Sequence, residues 1–166
     1  SGFSCAASLE AILTIGVPTR NTSPSAASSS AIVPLTGAEI LALDAYCRDR
    51  FVELVPNQNS LGHARPWLRH PDYRHLAECP NGSGRFDHGF QFKMTRATLE
   101  FLDGLYAGLL PNFSSRLFNV GCDEAKETGL GHSRRRVEQH GRIAVYADFI
   151  RRLHRVVSRH DRRMMF

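Results

Sequence analysis

The stretch SRLFNVGCDEAKETGLGHS, residues 115 to 133, decides the fold and also raises the question of function. Its apolar run LFNV predicts a short buried strand. That strand ends in Gly-Cys and two adjacent carboxylates, Asp123 and Glu124, and the residues after them are typical of a loop. Neighbouring residues of a strand point to opposite faces, so the two carboxylates separate unless the backbone bends there.

The pair Asp123 and Glu124 allows two interpretations. One is a solvated turn, or a carboxylate that caps the following helix. The other is a functional site, because two ionised carboxylates in one partly buried cleft are costly and a strand end has no structural need of them. The choice between the two depends on the rest of the chain.

A helix and a strand precede this stretch. The sequence LTGAEI carries a capping box, with Thr36 as the N-cap and Glu39 three residues later, and it predicts a helix over residues 37 to 50. The run FVELVPN, residues 51 to 57, is apolar, rich in β-forming residues and ended by a proline, as expected of a buried parallel strand. It leads into a polar loop that contains His63.

The same order of elements continues along the chain. Apolar residues at helical spacing predict a helix over residues 96 to 110, the strand at 117 to 121 follows, and two helices are expected between residues 134 and 157. The terminal RRMMF resembles the start of another strand. Alternating helices and strands predict an α/β fold with about three to four strand and helix units, parallel strands and right-handed crossovers.

This topology brings two polar loops together. The loops after residues 57 and 121 leave the same carboxyl edge of a parallel sheet, which is where ligands bind in such folds. We therefore expect His63 from one loop to meet Asp123 and Glu124 from the other across a shared cleft.

Composition limits the class of protein. The 166 residues fit one domain, and no apolar run is long enough to span a membrane. Four cysteines without a C-x-x-C pair and eight histidines without an H-E-x-x-H arrangement predict neither a disulfide framework nor a metal site. A reducing, cytoplasmic location is expected, and no signal peptide is visible.

The charge is concentrated near the C-terminus. Residues 134 to 163 hold ten Arg and three Asp or Glu, a net charge of +7 within a chain of +5. Such a segment is typical of a solvated helix face. The alternative is a basic module that binds nucleic acid, but the segment lacks interleaved aromatic residues and any DNA-reading motif, so no nucleic-acid partner is predicted.

Two segments resemble a known family. LFNVGCDEA is similar to the fourth-strand signature of family 20 glycoside hydrolases, the β-N-acetylhexosaminidases, and ELVPNQNSLGHARPW is similar to their third-strand segment with its Gly-His. The resemblance covers residues 34 to 166, including HPDYRHLAECP and LLPNFSSRLF. Residues 1 to 33, partly a low-complexity Pro, Ser, Thr and Ala segment, are set apart, with a possible short strand from Ala11 to Val17.

The resemblance implies a (β/α)₈ barrel and retaining, substrate-assisted hydrolysis of terminal N-acetylhexosamine. Glu124 would be the acid/base, with a pKa raised toward neutrality, and Asp123 would orient the acetamido group as a fixed charge. His63 would support the acid/base, unless it only caps its loop. Expected partners are glycans that contain N-acetylglucosamine or N-acetylgalactosamine, with no cofactor, metal or membrane.

The substrate contacts are expected from further polar and aromatic residues near the strand ends. We assign Asn57, Asn59, Asn119 and Trp67 to substrate binding. Better-known members carry acidic residues where Asn57 and Asn59 stand, so sugar contacts from that loop are expected to differ. Trp67 has a packing role as its alternative, and Cys122 is expected to pack.

A whole barrel needs about 250 residues, so the chain is expected to be a central piece of one that is completed by a missing remainder. The leading hypothesis is a hexosaminidase or part of one. The alternatives are a catalytically silent carbohydrate-binding or regulatory relative and a small basic binding module.

Overall fold

The computed structural model describes residues 35–84 and 86–166. The segment set apart at the N-terminus, including the strand predicted from Ala11 to Val17, lies outside the described residues, and its assignment stays a prediction. Within the described ranges the chain forms five α-helices, two short 3-10 helices and two β-strands. Most of the regular structure there is therefore helical.

The first helix begins where the capping sequence predicts. Helix α1 spans Gly37–Arg48. The Thr36 hydroxyl accepts the N–H of Glu39, and the Glu39 carboxylate accepts the N–H of Thr36 at 2.7 Å, which completes a capping box. On its inner face Asp44 is buried and accepts the N–H of Ser114 at 3.1 Å. This contact joins α1 to the segment that leads into the first strand.

Residues 51 to 57 were predicted as a strand, but within this segment only Asn57 pairs with a strand, as an isolated β-bridge. Asn57 pairs in parallel with Asn119, whose N–H donates to the Pro56 carbonyl at 3.0 Å. Two features oppose a longer ladder: Pro56 has no N–H to donate, and Phe51 has a left-handed φ of 57°. The predicted parallel direction is confirmed, whereas the predicted length of the strand is wrong.

The middle of the chain is compact and irregular. Helix α2 spans Arg65–Leu68, and a 3-10 helix follows at Pro71–Leu76. Helix α3 spans Arg96–Leu109, close to its predicted range, and continues as a 3-10 turn at Leu110–Asn112 that contains Pro111. The apolar stripe of α3 faces the core, as its helical spacing predicts, through Leu99, Leu102, Tyr106 and Leu109.

The last third of the chain is a β-α-β unit. Strand β1 spans Leu117–Asn119, α4 spans Arg134–His140, α5 spans Arg142–Arg159, and strand β2 spans Arg163–Met165. The two strands pair in parallel with Phe118 opposite Met164. The predicted helices, the terminal strand and the parallel pairing are confirmed.

One core joins these elements. The buried apolar residues come from every helix except α4, from Phe118 of β1 and from the segments that flank β1. The largest fully buried side chains include Phe92, Tyr106, Phe118, Phe149 and Leu153. No helix within the described ranges has the length and apolarity needed to cross a membrane. The described part of the chain is α/β with parallel strands. It contains two strands and one bridging segment, whereas three to four strand and helix units were expected for the chain.

Candidate active site

The imidazole of His63 lies between the two carboxylates. Its Nε2 is 3.5 Å from Oδ2 of Asp123 and 3.4 Å from Oε2 of Glu124. The three side chains are 38%, 68% and 45% exposed respectively, so they form an open surface site rather than a closed cavity. The expectation that the two strand exits meet is confirmed by these distances.

The backbone bends where the sequence requires a bend. Strand β1 ends at Asn119, and two left-handed residues follow, Gly121 with φ 46° and Glu124 with φ 47°. The Asn119 side chain helps to form the bend, because its Oδ1 accepts the N–H of Gly121 at 2.9 Å. The left-handed conformation is sterically unfavourable for Glu124. The bend brings both adjacent carboxylates to the same imidazole.

The glycine before His63 permits the close approach of the two loops. A Cβ at Gly62 would overlap the carbonyl oxygen of Asp123 and would lie 3.2 Å from that of Glu124. A side chain at position 62 would therefore push the two loops apart. The pair of residues Gly62 and His63 thus acts as a unit, in which the first allows contact and the second fills the space between the carboxylates.

His63 is also held from its other side. Its ring packs edge-on against Phe90, with ring centroids 4.8 Å apart. The backbone N–H groups of Phe90 and Gln91 donate to Oε2 of Glu127 at 3.0 and 3.1 Å. Glu127 is almost fully buried, and a buried carboxylate needs such donors. The loop after β1 therefore fixes the residue against which the imidazole packs.

This buried network was not predicted from the sequence. The Gln91 side chain accepts the N–H of Glu127 at 3.1 Å and donates to the Thr128 hydroxyl at 3.0 Å, and the Ser83 hydroxyl donates to Glu127. These partners are far apart along the chain, and no local spacing connects them. The KETG sequence was interpreted only as loop, although a glutamate and a threonine beside the acidic pair were a weak signal.

Lys126 also contacts the acidic pair, and the sequence did not predict this contact. Its Nζ lies 3.0 Å from Oε1 of Glu124, the carboxylate oxygen opposite to the one that faces His63. Its position two residues after Glu124 was the only available signal. The Glu124 carboxylate is thus flanked by an imidazole and an ammonium group.

The three asparagines assigned to substrate binding differ in exposure and in their contacts. Asn57 is exposed at the bridge to β1. Asn59 is half-buried, and its Oδ1 lies where a Cβ on Gly121 would stand. The Asn119 side chain is engaged with Gly121. The amides of Asn59 and Asn119 therefore shape the strand exit, and only Asn57 presents a largely free surface.

Trp67 is a packing residue in the structure. It is 9% exposed, and its ring makes edge contacts with Tyr73 and Phe101 at 5.5 and 5.4 Å between centroids. Helix α2 directs the indole into an aromatic cluster, where burial of a large apolar ring is favourable. Its assignment to the sugar site stays a prediction. The position of Trp67 agrees with the alternative that it packs in the core.

Cys122 is buried, as expected. Burial and the nearby Asp123 carboxylate raise the pKa of its thiol to about 12. A thiol with so high a pKa carries almost no thiolate at neutral pH. Cys122 is therefore a packing residue and not a nucleophile, and it lies beneath the backbone of the acidic pair.

Across residues 35–84 and 86–166, no group of three His, Cys, Asp or Glu side chains is arranged to bind a metal ion. A cavity of about 440 Å³ lies between residues 75–82 and 130–132, with Lys93 on its wall, and contains none of the predicted site residues.

A family model matches most of the chain. The model of the glycosyl hydrolase family 20 catalytic domain matches residues 13–166. The chain belongs to glycosyl hydrolase family 20. The match begins inside the segment of residues 1 to 33 that the sequence analysis set apart. No curated protein sequence matches the chain.

Solved structures of family 20 enzymes have a similar fold. The β-N-acetylhexosaminidase of Bacteroides fragilis is 22% identical with a TM-score of 0.62, over 77% of this chain and 26% of that protein. The chitobiase of Flavobacterium johnsoniae is 18% identical with a TM-score of 0.65, over 80% and 21%. The N-acetyl-β-hexosaminidase of Streptomyces plicatus, solved with Thio-NAglucal, is 20% identical with a TM-score of 0.58, over 79% and 24%. The family 20 chain thus spans about a quarter of the length of these proteins.

Proposed function

We propose that this chain carries the acid/base centre of a family 20 β-N-acetylhexosaminidase. The single observation that supports the proposal most is that one imidazole nitrogen, Nε2 of His63, lies within 3.5 Å of the carboxylates of both Asp123 and Glu124. Membership of the family supplies the reaction class. The substrate class proposed is a glycan with a terminal N-acetylglucosamine or N-acetylgalactosamine.

The two carboxylates have separate tasks in this proposal. The carbonyl oxygen of the substrate's own 2-acetamido group attacks the anomeric carbon, while protonated Glu124 gives its proton to the glycosidic oxygen and the alcohol leaves. Asp123 stays ionised, accepts the acetamido N–H and stabilises the positive charge of the oxazolinium ring. Glu124 then takes a proton from water, which attacks the same carbon and reopens the ring with net retention.

His63 is assigned to orienting the acid/base. With Nε2 3.4 Å from Oε2 of Glu124, the imidazole is close enough to restrain the carboxylate, and Phe90 in turn restrains the imidazole. Orientation matters because proton transfer requires heavy atoms about 2.6–3.2 Å apart in the reacting complex.

We further propose that the chain forms part of a (β/α)₈ barrel. The parallel pairing of β1 and β2 through two helices, the parallel bridge of Asn57 to Asn119 and the similarity to family 20 structures support this arrangement. In such barrels the active site lies at the carboxyl ends of the strands, where His63, Asp123 and Glu124 stand. The remaining strands would be supplied outside the described residues.

A catalytically silent carbohydrate-binding relative is the second candidate. It is favoured by the ion pair of Lys126 with Glu124 at 3.0 Å, which engages the carboxylate proposed as proton donor, and by the engagement of the Asn119 amide within the strand exit. This candidate binds the sugar but does not cleave it.

Hydrolysis of two substrates tests the proposal. The unaltered chain, Glu124→Gln and Asp123→Asn are assayed with 4-nitrophenyl N-acetyl-β-glucosaminide and with N,N′-diacetylchitobiose. Glu124→Gln is expected to lower kcat by about 10²–10⁴-fold, with the greater loss on N,N′-diacetylchitobiose because its alcohol leaving group depends more on proton donation. Glu138→Gln, on the exposed face of α4, is the control and should keep full activity.

The outcomes separate the two candidates. Equal turnover by the unaltered chain and Glu124→Gln would overturn the assignment of the acid/base. Saturable binding of N-acetylglucosamine without hydrolysis by any of the proteins would instead identify the silent relative.

A further inference from the structure

Two side chains of α5 reach the backbone on either side of the acidic pair. Tyr146 donates its hydroxyl to the carbonyl of Cys122 at 3.0 Å, directly before Asp123. Arg142 donates from Nη2 to the carbonyl of Ala125 at 2.6 Å, directly after Glu124. Residues four apart lie on one face of a helix, so one turn of α5 holds both ends of this short segment.

The segment has little regular structure of its own. Strand β1 ends at Asn119, and residues 120–125 belong to no helix or strand. Glu124 has a left-handed φ of 47°, an unfavourable conformation that persists only when surrounding contacts enforce it. On the opposite side Gly62 lies against the carbonyls of Asp123 and Glu124. The hydrogen bonds from α5 therefore hold the backbone from Cys122 to Ala125, which is not paired as part of a strand.

The two donors suit this task in different ways. Tyr146 is half-buried and packs against the core, which anchors its ring. Burial, together with Cys122 and Asp123, raises the pKa of its hydroxyl, so Tyr146 remains a proton donor throughout the neutral range. Arg142 is exposed, and its guanidinium in the first turn of α5 carries several N–H donors and no acceptor.

We propose that Arg142 and Tyr146 are positioning residues that set the orientation of Asp123 and Glu124 toward His63. The inference deepens the proposed function, and its catalytic part rests on that function. Loss of either hydrogen bond would let the strained backbone at Glu124 relax, which would turn both carboxylates away from the imidazole. A displacement of about 1 Å in such a group can cost roughly 10²-fold in rate, so a partial displacement should cost about tenfold.

The test uses Tyr146→Phe, which removes only a hydroxyl, and Arg142→Met, which removes all the donors. Matched controls are Tyr46→Phe on α1 and Arg151→Met on the exposed face of α5. The side-chain NMR resonances of His63 report the position of the carboxylates without requiring activity. Both test variants should shift these resonances, and both controls should leave them in place.

Activity and stability complete the test. Each test variant is expected to lower kcat about tenfold with KM within about twofold, as for a group that acts on the reacting geometry, while Tm stays within a few degrees of the unaltered chain. Arg142→Lys, which keeps a donor, should recover part of the loss.

Unchanged His63 resonances in a folded double variant would overturn the proposal. If the double variant does not fold, the two single variants decide in the same way. If the unaltered chain hydrolyses no substrate, the proposed function fails, whereas the resonances of His63 still decide whether α5 positions the acidic pair.

Discussion

Gly62 lies directly against the carbonyl oxygen of Asp123, so the loop that carries the imidazole and the loop that carries the carboxylates touch through their backbones. Gly62→Ala is therefore expected to lower the free energy of unfolding by about 1–3 kcal/mol, because the added methyl must displace backbone atoms. Gly104→Ala is the matched control: nothing lies within 4 Å of its Cβ position on α3, and alanine should stabilise the helix by about 0.5–1 kcal/mol. Urea denaturation of the three proteins measures both effects, and a Gly62→Ala protein as stable as the unaltered chain would contradict the close approach.

A buried hydrogen bond joins the loop before His63 to α3. The hydroxyls of Ser60 and Tyr106 are 2.6 Å apart, both residues are fully buried, and burial raises the pKa of Tyr106. Ser60→Ala alone should cost about 1–3 kcal/mol, because it leaves the buried Tyr106 hydroxyl unpaired. Tyr106→Phe alone should cost less, because the Ser60 hydroxyl still donates to the Gln58 carbonyl at 2.7 Å.

The double variant distinguishes this pairing from simple packing. Ser60→Ala with Tyr106→Phe should cost less than the sum of the two single changes, and the coupling is obtained from a thermodynamic cycle of four denaturation curves. Strict additivity would mean that the two hydroxyls do not interact.

The described thiols should differ in reactivity. Burial raises the pKa of Cys79 to about 11 and that of Cys122 to about 12, whereas Cys47 is half-buried on α1. In a Cys5→Ser background, iodoacetamide at pH 8 should modify Cys47 first and leave the other two intact in the folded protein. Peptide mass spectrometry reads the order, and unfolding in urea, after which all three should react, is the control. Early modification of Cys122 would contradict its burial beneath the acidic pair.

Asp103 should make part of the stability depend on pH. Burial alone would raise its pKa, but hydrogen bonds from His160 and Arg159 outweigh it and hold the pKa of Asp103 below its ordinary value. A carboxyl with a lowered folded pKa contributes stability above its unfolded pKa of about 3.9, and that contribution is lost as the pH falls through the folded value.

Asp103→Asn should therefore lower Tm at pH 6–7, and the difference from the unaltered chain should shrink as the pH falls below about 4. The exposed Asp87→Asn is the control and should show little difference at either pH. A constant Tm difference across the whole range would contradict the ion pair as its origin.

The sequence predicted those features that depend on local pattern. The capping box at Thr36 and Glu39 located α1, helical spacing located α3 and α5, and the alternation of helix and strand predicted parallel pairing. The meeting of His63 with Asp123 and Glu124 followed from topology alone, because loops at the carboxyl ends of parallel strands share one edge.

The remaining features depend on contacts between distant residues. Nothing in the local spacing connects Glu127 with Gln91, or Arg142 and Tyr146 with the carbonyls beside the acidic pair. Trp67 was assigned to the sugar site because of its residue type, yet its direction is set by α2 and the aromatic ring of Phe101. Residue identity alone does not fix the direction of a side chain in an irregular segment.

His63 and Glu124 share an uncommon backbone conformation, with φ values of 54° and 47°. Glycine and asparagine adopt that conformation at less cost than glutamate, by roughly 1 kcal/mol. A library screened only for survival after heating should consequently drift toward glycine or asparagine at position 124, whereas a library screened for turnover should retain the glutamate. Histidine tolerates the left-handed conformation better, so position 63 should drift less.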